Sequence, residues 1–75
     1  MPHIVVKLWP GKSEQQKQEL AEALSRDVIR ILGSKERSVS VGIEEIAPDD
    51  WHDEVYNPDI SAKQALLYKK PGYSM

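Results

Sequence analysis

The sequence predicts an α/β fold built on one βαβ unit, in which two parallel strands flank a long helix and a second helix follows near the C-terminus. The evidence is a run rich in β-branched residues at the start of the chain, a helix-spaced apolar stripe with capping signals at both ends, and a second, alternating apolar run. A right-handed crossover through the helix makes the two strands parallel. We expect one domain over residues 1–75, with the βαβ core at about 2–46 and the C-terminal helix at about 58–68.

The first predicted strand covers residues 2–9, where apolar side chains occupy most positions on both faces. This pattern is typical of a strand that is covered on both sides. Pro10 and Gly11 end the strand, because proline lacks the amide that a ladder needs and glycine adopts turn geometry at low cost. The second predicted strand covers residues 38–46 and alternates cleanly at its start. Two parallel strands are too few to be stable alone, so further strands or subunits are expected beside them.

The helix between the strands has clear signals at both ends. Ser13 and Gln16 form the capping-box pattern at its start, and Gly33 stands where a left-handed C-terminal cap belongs. Between these signals, apolar residues recur at spacings of three and four, which gives one apolar stripe. A second helix start is indicated at Asn57 and Pro58, since asparagine caps helices and proline fits the first helical position.

Composition narrows the classes of function. The formal net charge is −2 and charges of both signs are interspersed, which argues against a nucleic-acid partner, because such a partner requires a basic surface. The chain has no cysteine, so we expect neither disulfides nor thiolate chemistry. Its apolar runs are short, so we predict no signal peptide, no membrane partner and a cytoplasmic location. A chain of 75 residues without covalent cross-links often gains stability by self-association, so a homo-oligomer is expected.

The residue with the most distinctive chemistry is Pro2, which follows the initiator Met1 and opens a core strand. Removal of Met1 leaves a secondary amine, and an ordinary α-amino group has a pKa of about 7.7–8.0. Apolar surroundings and a nearby cation such as Lys7 or Lys12 both lower an amine pKa, because they disfavour the protonated form. A base that titrates near the working pH suits proton transfer next to a carbonyl. On position alone, the simpler interpretation is that Pro2 is an ordinary second residue.

The sequence resembles the 4-oxalocrotonate tautomerase family over essentially its whole length. The resemblance rests on the opening residues 1–4 (MPHI), the βαβ order and residues 10–17 (PGKSEQQK). Within that family it is most similar to the PptA-type subgroup, through residues 38–41 (SVSV), Trp51 and residues 69–75 (KKPGYSM). The resemblance implies a short βαβ subunit, an amino-terminal proline as general base and a phenylpyruvate-like keto or enol acid as substrate.

The resemblance also assigns roles to single residues. It implies that Pro2 is the catalytic base and that Lys12, which stands where related enzymes have an arginine, binds the substrate carboxylate as a point charge. Ser40 stands where those enzymes have a second arginine, which favours a substrate with one acid group, and Arg37 falls on the opposite strand face. Trp51 matches an aromatic residue that walls the family's pocket. The sequence leaves two other interpretations open: Lys12 as a lysine in a solvated turn, and Trp51 as a core or interface residue.

The resemblance therefore implies an isomerase that moves one proton between an enol oxygen and the adjacent carbon, without a cofactor. No metal is expected, because two histidines and no cysteine offer too few zinc ligands. We predict a homodimer whose strands join into a four-stranded sheet, with a hexamer as the alternative. Two other functions stay open: a hydratase, dehalogenase or decarboxylase of the same family, and a non-catalytic subunit that retains the fold.

Overall fold

The computed structural model describes residues 1–75 and confirms the predicted α/β architecture. Strand β1 spans His3–Leu8, helix α1 spans Glu14–Leu32, and strand β2 spans Ser40–Glu45. A second helix, α2, spans His52–Ser61. Three short 3₁₀ turns complete the chain, over Glu36–Ser38, Pro48–Asp50 and Gln64–Leu66. The residues divide into two compact units, Met1–Glu45 and Ile46–Met75, each described by itself below. The single domain over residues 1–75 stays a prediction.

The sheet contains only β1 and β2, which run parallel. The register pairs His3 with Ser40 at one end and Leu8 with Glu45 at the other. Paired residues point to the same face of a sheet, and neighbours along a strand point to opposite faces. One face therefore carries the side chains of Ile4, Val6, Leu8, Val41, Ile43 and Glu45, and α1 lies against it, as the contact of Lys17 with Glu45 shows.

The opposite face of this small sheet is open in the single chain. It carries His3, Val5 and Ser40, all of which are exposed, and Val5 retains 43% of its accessible surface. The sequence predicted that β1 is covered on both faces, but within one chain this face is left uncovered. Because each strand also has only one neighbour, β1 and β2 both leave one edge unpaired. An unpaired strand edge is a template for pairing with another chain.

Helix α1 begins and ends at the residues that the sequence indicates. The Ser13 side chain accepts a hydrogen bond from the Gln16 backbone N–H at 3.1 Å, and the Gln16 side chain accepts one from the Ser13 N–H at 2.9 Å. At the other end, Gly33 adopts the left-handed conformation with φ 70° and its N–H donates to the Ile29 carbonyl. These reciprocal bonds satisfy backbone groups that a helix end otherwise leaves unpaired.

The predicted bounds of the second helix, about 58–68, are wrong. Helix α2 has Pro58 in its interior, and the chain leaves helical geometry near Lys63, which has φ −122° and ψ 32°. A proline inside an α-helix removes a hydrogen bond and its ring crowds the carbonyl four residues earlier. Helix α2 is a π-helix, whose turns are wider than those of an α-helix. Its last hydrogen bond joins the Ala62 N–H to the Asn57 carbonyl, five residues back, and the wider turns relieve the crowding at Pro58.

The second strand is also shorter than the predicted 38–46. Residues Glu36–Ser38 form a 3₁₀ turn, and the Ser38 hydroxyl donates to the Lys35 carbonyl at 2.8 Å. This local bond gives Ser38 an alternative to the strand ladder, so pairing starts at Ser40. None of the helices is both long enough and apolar enough to span a bilayer.

Lys17 joins helix α1 to strand β2 through ion pairs. Its Nζ lies 3.0 Å from Glu45 Oε2 and 3.1 Å from Glu14 Oε1, and its side chain is only 15% exposed. The hydrogen bond to Glu45, and then that to Glu14, raises the pKa of Lys17 above its ordinary value of 10.5. The stabilisation is therefore fully present below the ordinary pKa and is lost as the pH rises through the raised one.

We expect Lys17→Met to lower the melting temperature at pH 8 and to make the protein less sensitive to alkali than the wild type. Thermal unfolding between pH 8 and pH 12, at one fixed protein concentration, measures both effects. Lys35→Met is the matched control, because Lys35 is an exposed lysine in the loop after α1. Equal alkaline losses in the wild type and in Lys17→Met would show that the ion pairs contribute nothing to folding.

Candidate active site

Pro2 is held at the N-terminal end of strand β1. Its carbonyl oxygen accepts a hydrogen bond from the Ser40 backbone N–H, with 3.2 Å between oxygen and nitrogen. Pro2 is half-buried, whereas Met1 is completely exposed at 103% of its reference surface. Removing Met1 therefore breaks no packing contact, and the amine that it uncovers stays attached to an ordered strand.

His3 and Ser40 lie next to Pro2 on the open face of the sheet. They are direct partners in the register, and His3 Nδ1 lies 2.7 Å from Ser40 Oγ. Ser40 thus makes two bonds to this segment, through its backbone N–H to Pro2 just before β1 and through its hydroxyl to His3 in β1. The first contact extends the pairing beyond the end of β1, and the second fixes the direction of a side chain that the resemblance assigns to substrate binding.

Lys12 lies at the other end of strand β1. It follows Gly11, whose φ of 124° is in the region that favours glycine, and its side chain is exposed. Six strand residues separate the two ends, and at about 3.3 Å per residue they span on the order of 20 Å. One chain therefore does not bring Lys12 to its own Pro2. A site that uses both residues requires the Lys12 of another copy.

Trp51 belongs to the second compact unit, where it immediately precedes helix α2. Its side chain is half-buried, and its indole Nε1–H donates a hydrogen bond to the Tyr73 hydroxyl at 2.9 Å. The Tyr73 ring also lies 5.8 Å from the Tyr56 ring, measured between centroids, and Tyr56 stacks on His52 at 6.3 Å. The C-terminal residues of the chain thus fix the orientation of the Trp51 ring.

The three tyrosines of the chain differ in their surroundings. In the structure, Tyr56 and Tyr73 pack within the aromatic cluster, whereas Tyr68 is fully exposed at 105%. Tyr73 lies in a tail that also has apolar and turn-forming residues, and this composition is the sequence signal that could have indicated its packing. Sequence separation hides its contact with Trp51, because the two positions are 22 residues apart.

The structure therefore brings together Pro2, His3 and Ser40, and separates Lys12 from them along β1. His3 is the member that was not among the predicted site residues. The groove of about 360 Å³ between α1 and β2 is a different place, since its lining includes the ion-paired Lys17 and Glu45 but none of the four predicted site residues.

The chain matches the family of tautomerase enzymes over residues 2–55. A protein named Tautomerase PptA from Pectobacterium carotovorum subsp. carotovorum (strain PC1) is 48% identical over 75 residues, which covers 99% of both chains. A protein named probable tautomerase from Xylella fastidiosa (strain 9a5c) is 44% identical over 73 residues, which covers 97% of this chain and 89% of the relative.

Solved structures show the same relationship. The crystal structure of TomN, a 4-oxalocrotonate tautomerase homologue of the tomaymycin biosynthetic pathway, aligns with a TM-score of 0.64 and 33% identity, over 85% of this chain and 95% of that one. The crystal structure of YwhB, another homologue of 4-oxalocrotonate tautomerase, aligns with a TM-score of 0.62 and 33% identity, over 64% of this chain and 79% of that one.

Proposed function

This chain belongs to the tautomerase family and is an isomerase, and on that premise we propose that it interconverts the enol and keto forms of a 2-oxo acid, with the amine of Pro2 as general base. The observation that carries the proposal is the attachment of Pro2 to Ser40 beside a fully exposed Met1. Once Met1 is removed, a secondary amine stands at a fixed position on the strand end.

The proposed reaction is a 1,3-proton transfer. Neutral Pro2 takes the proton of the enol hydroxyl, the carbon–oxygen bond becomes a carbonyl, and the protonated amine returns the proton to the adjacent carbon. The proton that the amine takes from oxygen is the one it returns to carbon, so the step balances with the substrate and Pro2 alone. General acid–base catalysis of this kind contributes about 10²–10⁴-fold in rate.

The second subunit completes the proposed site. Lys12 lies on the order of 20 Å along β1 from its own Pro2, so the Lys12 that binds the substrate carboxylate comes from a neighbouring copy. The open edge of the two-stranded sheet gives that copy a place to pair, and two subunits then form a four-stranded sheet. A homodimer is the first proposal and a hexamer the second.

The proposed substrate is a monoacid with an apolar or aromatic group, such as a phenylpyruvate-like compound. A serine at position 40 supplies no second cation for a second carboxylate. Trp51 is the proposed aromatic wall of the pocket, and its hydrogen bond to Tyr73 holds the ring in one orientation. The name Tautomerase PptA that several relatives carry supports a tautomerase but specifies no substrate.

The test is an enol-ketonisation assay on the wild type and on Pro2→Ala, with intact mass showing that Met1 is absent from both. Alanine leaves a primary amine that is neither ring-constrained nor secondary, so we expect kcat to fall by at least about tenfold, with the rest of the site intact. Ser61→Ala, an exposed change in the second unit, is the control. Full activity of Pro2→Ala would exclude the proline mechanism.

A further inference from the structure

The contact between His3 and Ser40 adds a side-chain bond at a place where a backbone bond already joins the two segments. The backbone bond from Ser40 to Pro2 pairs the strands at this end, and both side chains are exposed, so their bond covers no apolar surface. Nevertheless, His3 Nδ1 and Ser40 Oγ lie 2.7 Å apart, which is a short distance for a nitrogen–oxygen hydrogen bond. The pair therefore fixes the Ser40 hydroxyl directly beside the residue that carries the proposed base.

The chemistry of the pair decides what the hydroxyl can offer to a ligand. A serine hydroxyl has one hydrogen to donate and lone pairs to accept, and a neutral imidazole nitrogen is either a donor or an acceptor. When Nδ1 carries the hydrogen, it donates to Ser40 Oγ, and the hydroxyl hydrogen is left to point outward. In that tautomer, Ser40 presents a single neutral donor whose direction is set by His3.

We propose that His3 is a positioning residue, which orients the Ser40 hydroxyl to donate a hydrogen bond to the oxygen on the second carbon of a 2-oxo monoacid. The inference rests on the proposed function, because it places the substrate at Pro2. Neighbouring strands lie about 4.8 Å apart, so Ser40 is one strand spacing from the chain start. A 2-oxo acid is long enough to contact both.

A neutral donor also selects the class of substrate. A hydrogen bond between neutral partners contributes less than one to a charged partner, and it does not neutralise a second carboxylate. The oxygen at the second carbon is a hydroxyl in the enol and a carbonyl in the keto acid, and it carries partial negative charge during proton transfer. One oriented hydroxyl suits that group, whereas a diacid would leave one carboxylate unpaired. The absence of a cation at position 40 thus favours monoacids over diacids, whereas the oriented hydroxyl serves an oxygen that both classes carry.

The experiment compares Ser40→Ala, His3→Phe, His3→Asn and the double variant Ser40→Ala with His3→Phe, all freed of Met1. Phenylalanine keeps a ring without a nitrogen, whereas asparagine places an amide N–H near the position of Nδ1. The enol of a phenylpyruvate-like monoacid and an enol diacid serve as substrates, and kcat and KM are measured separately. Ser61→Ala is the matched serine control, and circular dichroism with sizing shows that each variant keeps its fold and oligomeric state.

We expect Ser40→Ala and His3→Phe each to lower kcat on the monoacid by about tenfold with a smaller change in KM, because the bond strengthens as charge develops on the oxygen. The double variant should lose no more than either single variant, since both changes remove one interaction. His3→Asn should recover most of the activity. The ratio of monoacid to diacid activity should stay close to that of the wild type in Ser40→Ala and His3→Phe, since both substrates carry the oxygen on the second carbon.

Two results would overturn the inference: wild-type kcat in His3→Phe, or losses in the double variant that multiply as independent effects. Pro2→Ala, assayed in parallel, separates this failure from that of the proposed function. If Pro2→Ala is inactive while His3→Phe is fully active, only the positioning role is wrong. If Pro2→Ala is fully active, the proposed function fails whatever His3 does.

Discussion

Inserting one glycine between Met1 and Pro2 is expected to lower kcat/KM for enol ketonisation by about 10²–10⁴-fold. The insertion turns the Pro2 nitrogen into a tertiary amide, which has no basicity, while every side chain of the protein is retained. The exposed Met1 shows that the added residue has room on the surface, so the fold should be unaffected. The general-base contribution should therefore be lost, leaving the contribution of substrate binding.

The measurement is a steady-state assay on protein whose intact mass shows that the initiator methionine is absent. Glycine added after Met75 is the matched control, since it lengthens the chain by the same residue at the other end. Binding of a non-reactive substrate analogue separates loss of the base from obstruction of the pocket. Undiminished turnover with a glycine ahead of Pro2 would rule out the amine as the base and favour a different catalytic group.

Lys12→Gln is expected to raise KM by about 10–100-fold, because a hydrogen bond to a charged group contributes roughly 1.5–3 kcal/mol. Glutamine keeps most of the length and a hydrogen-bond donor but removes the positive charge that is proposed to attract the substrate carboxylate. Lys12→Arg should retain most of the affinity, since arginine offers a paired donor to the same carboxylate. Lys35→Gln, another exposed lysine in a loop, should behave as the wild type.

Subunit mixing tests whether Lys12 acts across the interface. A dimer of one Lys12→Gln subunit and one subunit with the inserted glycine should regain one intact site, made from the free Pro2 of the first and the Lys12 of the second. At substrate concentrations well below KM, random exchange then gives about one quarter of the wild-type activity from two parent proteins that are each much less active. If Lys12 binds substrate within its own chain, mixing adds no activity and the intersubunit site is wrong.

The sequence could predict features whose signals lie close together in the chain. Ser13 and Gln16 are three residues apart and form both capping bonds, and Gly33 adopts the left-handed geometry for which its position is typical. The apolar stripe between them gives helix α1, and the flanking β-branched runs give the parallel pair. Local signals of this kind depend on backbone sterics and nearby hydrogen bonds, so they are little altered by the rest of the fold.

The local signals at Asn57 and Pro58 predicted the wrong helix start, because a wide-turn helix accommodates a proline that an ordinary α-helix does not. Residues 38–46 likewise gave too long a strand, since the Ser38 hydroxyl bonds Lys35 locally. In both places, a hydrogen bond that the pattern did not predict formed in place of the expected helix or strand bond. Sequence pattern alone does not rank such alternatives.

For function, the sequence by itself determined that a proline follows Met1 at the start of a strand, that Lys12 lies in the next turn, and that no cysteine chemistry is available. Only the tertiary structure decided that Ser40 faces His3 and that Trp51 bonds Tyr73. The physical reason is register: a parallel pair separated by 37 residues can slide by one position without changing any local signal, yet such a slip turns every side chain to the other face of the sheet.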